Sequence, residues 1–177
     1  SLRQFLITAG SMGEGDTLRV PALAPPNQVE VPGCNVTIPI PRIFAPRVLW
    51  DSWATRLAVS VGPAYAIGVH EEGTLVMSLR RDLEPIRVTE SAAIGQYPEG
   101  FKIGLPGGSC TAEAAQMVRA QGYEAVMPSI ANVRVAPSGE IWALRNHLDS
   151  DLGLIDIWSP SGDYLGTLPA EAKFPVA

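Results

Sequence analysis

Two stretches of the chain share one order of apolar and polar positions. Residues 65–79 run as an apolar segment, a polar Glu71-Glu72-Gly73 turn and a second apolar segment. About ninety residues later, Ile155-Asp156-Ile157-Trp158 leads into a polar turn at 159–162 and then Tyr164-Leu165-Gly166-Thr167-Leu168. A hairpin that recurs around a glycine turn points to a fold of stacked small sheets. The flanking pattern extends each hairpin. Segments 47–50, 56–61, 64–69 and 74–79 predict four short antiparallel strands, with a first turn near Asp51-Ser52. Segments 130–136, 141–145, 154–158 and 164–168 predict four more, turning at Pro137-Ser138-Gly139 and at 159–162.

The rest of the chain is more broken. Sixteen prolines and seventeen glycines leave few windows for a long helix. Residues 5–8 and 18–20 read as short strands around a turn at 11–16. Residues 22–32 read as extended loop with a Pro25-Pro26 pair. Residues 34–40 read as an edge or irregular strand, because Pro39 and Pro41 cannot donate to a ladder. Val88-Thr89-Glu90-Ser91 can start a short helix, and the glycine-rich 95–108 reads as loop. Thr111 is the expected N-cap of a helix over 112–121, which Gly122 stops. The expected organisation is an irregular, proline-rich arm over 1–43, a blade-like sheet over 44–84, and a loop-and-helix excursion over 85–128. A second blade-like sheet over 129–170 and a tail over 171–177 complete it. The fold class is mainly β: three to four small antiparallel sheets with one short helix.

Composition narrows the function classes. At 177 residues the chain can bury a substantial core. It is 46% apolar and 18% charged, which excludes wholesale disorder and leaves a surface suited to contact with a partner. The net charge is -5, and the lysines are Lys102 and Lys173 alone. Arg80-Arg81 is the one basic pair, so no basic face is available for nucleic acid. No apolar run is long enough for a transmembrane span, while attachment to a membrane complex stays open. The apolar run in residues 2–12 is too short for a signal peptide, and a processed chain would also lack one. Cys34 and Cys110 are either two buried thiols or one disulfide, and a disulfide favours an envelope or extracellular setting. With no CxxC spacing they carry no zinc signal. Asn35-Val36-Thr37 matches an N-glycosylation acceptor.

Ile130-Ala131-Asn132-Val133-Arg134-Val135-Ala136-Pro137-Ser138-Gly139-Glu140-Ile141-Trp142-Ala143, followed by residues 155–166, resembles a blade of bacterial six-bladed, NHL-like β-propellers. Such blades carry a G-x-I/L-W-V strand and then a strand entering an F-D-x-x-G turn. Here Trp158 stands in the place of the phenylalanine and Ser159 in that of the aspartate. Residues 65–76, followed by Arg80-Arg81, resemble the penultimate blade, and residues 88–122 the excursion between late blades. The resemblance covers about 44–168; the first forty residues match poorly. It implies a partial or diverged β-propeller: the C-terminal part of a longer one, a short form, or strands that close in another way. It also implies a periplasmic or envelope setting, with the cytoplasm open as an alternative, and no single activity.

Candidate chemistry is sparse. His70 and His147 are the two histidines, expected near strand ends. His147 with Asp149-Ser150-Asp151 forms an acidic loop that could hold a divalent cation. Ser109-Cys110, ahead of the expected helix, is the most nucleophile-like setting, yet it is neither a GxSxG elbow nor a phosphate loop. Asp51, Asp82, Glu84 and Glu90 show no spacing that pairs them. Trp50, Trp142 and Trp158 are expected in the core. Trp53 is expected to be exposed, and Trp53, Tyr97, Pro25 and Pro26 are the candidate interface residues. No catalytic, cofactor-binding or metal residue is singled out, and no cofactor is expected. The expected function is a non-catalytic protein-binding or structural subunit, whose partner is another chain or domain covering exposed sheet surface. The alternatives are a propeller-type hydrolase using His70 and His147, and a small-ligand or glycan-binding module using Trp53 or Tyr97.

Overall fold

A computed structural model of the chain describes residues 6–7, 18–148, 153–168, 172 and 174. The fold is mainly β, built from small antiparallel sheets and two helices. No helix among the described residues is long and apolar enough to cross a membrane. The chain divides into two compact units, Ser1–Leu23 with Pro46–Ile86 and Pro128–Ala177, and Ala24–Ala45 with Arg87–Met127.

In the first unit, β1 (Leu6–Ile7) pairs with β2 (Leu18–Arg19). The second unit opens with the hairpin β3 (Asn27–Val31) and β4 (Val36–Ile40). Residues 22–32 are therefore not all loop. The prolines at 25, 26 and 32 flank the strand without entering it. Within it Val29 and Val31 are buried while Gln28 and Glu30 are exposed, a two-residue period. Pro39 sits opposite Gln28 in this two-stranded ribbon, where a missing donor costs little.

Back in the first unit, β5 (Leu49–Trp53), β6 (Arg56–Ser60), β7 (Ala66–Glu71) and β8 (Thr74–Arg80) form a four-stranded meander in chain order. Its first turn lies at Ala54-Thr55, not at Asp51-Ser52. Trp53 pairs with Arg56, and Ala54 takes the left-handed φ of 52° that a tight hairpin demands. Trp50 and Trp53 flank the two polar residues, which pair with Ala58 and Leu57 of β6 and so stay in the strand.

The second unit resumes with α1 (Glu90–Ile94), whose N-cap Thr89 accepts the Ala92 N–H at 3.2 Å. The hairpin β9 (Phe101–Leu105) and β10 (Gly108–Ala112) follows, then α2 (Ala114–Gln121). This overturns two expectations. Residues 101–105 alternate Phe, Lys, Ile, Gly and Leu, and glycine density masked that period. Pro106-Gly107 is the turn, with Gly107 at a φ of 94°. Thr111 and Ala112 belong to β10, where they pair with Lys102 and Phe101, so the helix starts at Ala114 behind Glu113. Val29, Val31, Ala112 and Met117 form the core of this unit, walled by Phe101, Ile103 and Ile38. Cys34, beside the β3–β4 turn, is disulfide-bonded to Cys110 of β10, which staples the two hairpins together.

The first unit closes with β11 (Ile130–Val135), β12 (Ile141–Arg145), β13 (Ile155–Trp158) and β14 (Tyr164–Leu168), a second meander in chain order. The two meanders share a core of Ala58, Ile67 and Val69 against Val133, Ile141 and Ala143. Ile67 and Ile141 are fully buried, and each stabilises the stack by about 1.5–3 kcal/mol. The opposite face of β6, through Leu57 and Val59, packs against Val20 and Leu18. The recurring hairpins are β7–β8 and β13–β14, the last two strands of each meander, and each carries one register irregularity. Such face-to-face four-stranded sheets are consistent with neighbouring blades of a partial or diverged propeller.

Arg56 fastens one meander to the other. Its Nε and Nη2 donate to Glu71 Oε1 at 3.0 and 2.6 Å. Its Nη1 donates to the carbonyls of Gly139 and Pro160, at 3.2 and 3.0 Å, in the β11–β12 and β13–β14 turns of the second meander. A guanidinium suits this task because it presents several donors in a fixed fan.

Candidate functional site

The densest chemistry of the first unit lies between its two sheets. Ala143, Asp156 and Thr167 are directly opposite one another across β12, β13 and β14, so Asp156 faces the apolar core that Ala143 joins. Its side chain is fully buried. A buried carboxylate must be paired. Asp156 Oδ1 accepts from Arg81 Nη1 at 2.7 Å, Thr167 Oγ1 at 2.6 Å and the Tyr164 hydroxyl at 3.2 Å. Arg145 Nε stands 3.8 Å from Oδ2, which accepts no hydrogen bond among the described residues. The Arg81 guanidinium also lies 4.4 Å over the Tyr164 ring, a cation–π contact. Burial tends to lower the pKa of Arg81, but the Asp156 carboxylate outweighs it and holds the value above the ordinary one.

Tyr65 continues the cluster, accepting from Trp158 Nε1 at 3.2 Å while its ring stands 6.4 Å from the indole. Burial pushes its pKa well above the ordinary 10.0. The folded chain therefore keeps the phenolic proton where the unfolded chain releases it, and stability falls as pH rises above about 10. The urea midpoint, followed from about pH 8 to about pH 11, should drop at the alkaline end. Tyr65→Phe should flatten that drop; an unchanged slope would show that Tyr65 is not the group responsible.

A pocket of about 270 Å3 adjoins this cluster through Arg145. Leu83, Ile86 and Leu154 supply apolar wall, and Glu84, Arg145 and His147 the ionisable groups. Its frame is well fixed. The Ser129 N–H and hydroxyl donate to the Pro63 carbonyl at 2.9 and 3.1 Å. Asn146 Nδ2 donates to the carbonyls of Pro128 and Ile130 at 2.7 and 3.2 Å. The Arg145 N–H donates to the Leu154 carbonyl at 2.9 Å. Gly153 admits this approach, since a Cβ there would lie 2.1 Å from the Arg145 carbonyl oxygen.

The residues expected to matter are dispersed. His70 lies within β7, where burial lowers its pKa against a smaller opposing pull from the Gly73 backbone. His147 lies beyond β12 at the pocket, and Asp149, Ser150 and Asp151 lie outside the described residues. No group of three or more His, Cys, Asp or Glu among the described residues is placed to hold a metal. Ser109 and Cys110 are strand residues with Cys110 in the disulfide, so no helix terminus activates a thiolate there. Asp51 accepts the Val135 N–H at 2.8 Å and stands 3.6 Å from Arg134, whereas Glu90 pairs with Arg119 in the second unit. Glu84 borders the pocket and Asp82 is exposed.

Of the tryptophans, Trp158 is buried as expected and Trp142 is half-buried, but Trp50 is 44% exposed. It lies on β5 in a position whose neighbours do not cover it, so strand membership alone did not place it in a core. Trp53 is 51% exposed, and Pro25 and Pro26 are exposed. Tyr97 is half-buried; its hydroxyl donates to Gln121 Oε1 at 2.7 Å, its ring packs edge-on against Phe101, and burial raises its pKa. Sequence reasoning missed Asp156 and Arg145. The signal was an acid at an inward position of an otherwise apolar strand, since Ile155-Asp156-Ile157 breaks the run of aliphatics.

Compared with models of protein families, with curated proteins and with solved structures, the chain matches none.

Proposed function

We propose that this chain is a non-catalytic protein-binding or structural module, built as part of a diverged NHL-like propeller and completed by another chain or domain. The observation that carries the reading is the surface of the last strand of each meander. β8 exposes Leu75 and Val76, and β14 exposes Tyr164 and Leu165. Among the described residues these are edge strands, each hydrogen-bonded to one neighbouring strand. Arg80 is the one exposed charge on β8 and β14 carries none, and neither strand holds a proline, so edges that show apolar side chains invite another chain. Trp53, at the end of the opposite edge strand β5, adds an aromatic anchor of the kind that dominates interfaces. Asp156, Arg81, Tyr164 and Thr167 are meanwhile engaged with one another inside the protein, where they hold the sheets. The disulfide supports an oxidising setting such as the periplasm or envelope.

A native pull-down with the full chain, compared with Val76→Lys/Leu165→Lys, tests the reading. The wild-type chain should retain a protein partner of defined size or a second copy of itself, and the doubly charged variant should lose it. Retention of the same partner by a folded double variant would remove the outer strands from the interface.

A further inference from the structure

The Asp156 cluster is not electrically balanced. Arg81 and Arg145 both lean on Asp156, the one carboxylate within ion-pair distance of either among the described residues. Tyr65 stays neutral, so among the described residues of the cluster one positive charge is left over. Arg81 sits closest, at 2.7 Å with a hydrogen bond, while Arg145 is held only at 3.8 Å. The surplus therefore belongs to Arg145. Its side chain is 19% exposed, and the residue borders the pocket. A mostly buried cation beside apolar walls is poorly hydrated, and its field is weakly screened. Glu84 is also at the pocket but is exposed, where water screens it.

We propose that this pocket binds a small monocarboxylate with an apolar body, its carboxylate taken by Arg145 and its hydrocarbon by Leu83, Ile86 and Leu154. A guanidinium presents paired N–H donors that match a carboxylate. At about 270 Å3 the space falls just under the range of drug-sized pockets, which fits a short-chain or single-ring acid. The cluster's one surplus positive charge fits one negative charge, and a second carboxylate on the ligand would face Glu84. The backbone bonds of Ser129, Arg145 and Asn146 hold the walls in place, so little ordering opposes binding. This site is separate from the outer strands β8 and β14, and it stands or falls apart from the protein-binding reading.

The test uses hexanoate and hexanamide, titrated by calorimetry into the full chain at neutral pH. Hexanoate should bind saturably and at least about tenfold more tightly than the uncharged amide. Arg145→Gln should cost about tenfold in hexanoate affinity. Arg145 touches the buried cluster, so Ile86→Trp is the second variant; it fills the pocket from the apolar side and should abolish binding in a folded chain. Absence of saturable hexanoate binding, equal affinity for the amide, or full affinity in Ile86→Trp would overturn the proposal.

Discussion

Asp156→Asn should lower the unfolding free energy of the first unit by about 3–5 kcal/mol, the range for removing one partner of a buried ion pair. The side chain is fully buried and faces Arg81 at 2.7 Å and Arg145 at 3.8 Å. The amide is the same size, so the loss is electrostatic. Two guanidiniums would be left near the core with no carboxylate between them. The Tyr164 and Thr167 hydroxyls, which now donate to Oδ1, would face a group that is no longer charged. Urea denaturation followed by tryptophan fluorescence reads the effect, because Trp158 lies on the same strand. The double variant Arg81→Met/Asp156→Asn should be less damaged than the sum of the single changes, since removing the cation also removes the stranded charge. Simple additivity would mean that Asp156 and Arg81 act independently.

The disulfide carries the second large effect, and it falls on the other unit. Cys34 and Cys110 are 76 positions apart, and their bond joins β3–β4 to β9–β10. That unit has only a small core, and its sheets are two-stranded ribbons, which are marginal alone. Replacing both cysteines by serine should destabilise it by about 2–5 kcal/mol, through the restored freedom of the unfolded loop. Hydrogen exchange should then quicken in β3, β4, β9 and β10 while β7 and β11–β13 keep their protection. Uniform loss of protection over the whole chain would show instead that the units do not unfold separately.

How much of this was legible in the sequence depended on which forces set each element. The two meanders were legible because short apolar segments recur between polar turns, most of them holding a glycine. Gly139 and Gly162 adopt positive φ where the turns were expected. β3 and β9 alternate just as clearly, but neighbouring prolines and glycines outweighed five-residue patterns. The helix boundary at Ala114 was hidden for a different reason. Thr111 is a good N-cap by type, and only pairing with Lys102 across the hairpin keeps it in a strand. Such long-range pairing leaves no local mark. The same holds for the site. Arg145 and Asp156 meet across adjacent strands of one sheet, and Arg81, just beyond β8, joins them only where the two sheets stack. Exposure of Trp53 was expected from a place in a turn, and it holds although the residue ends β5, whereas Trp50 needed knowledge of which face its sheet leaves uncovered.

Sedimentation velocity of the purified chain over a wide concentration range, beside Val76→Lys/Leu165→Lys, bears most directly on the contact reading. Exposed aliphatics on β8 and β14 predict that the wild-type chain self-associates, with a sedimentation coefficient that rises with concentration, and that the lysine variant stays monomeric. A wild-type chain that remains a stable, monodisperse monomer at every concentration would contradict it.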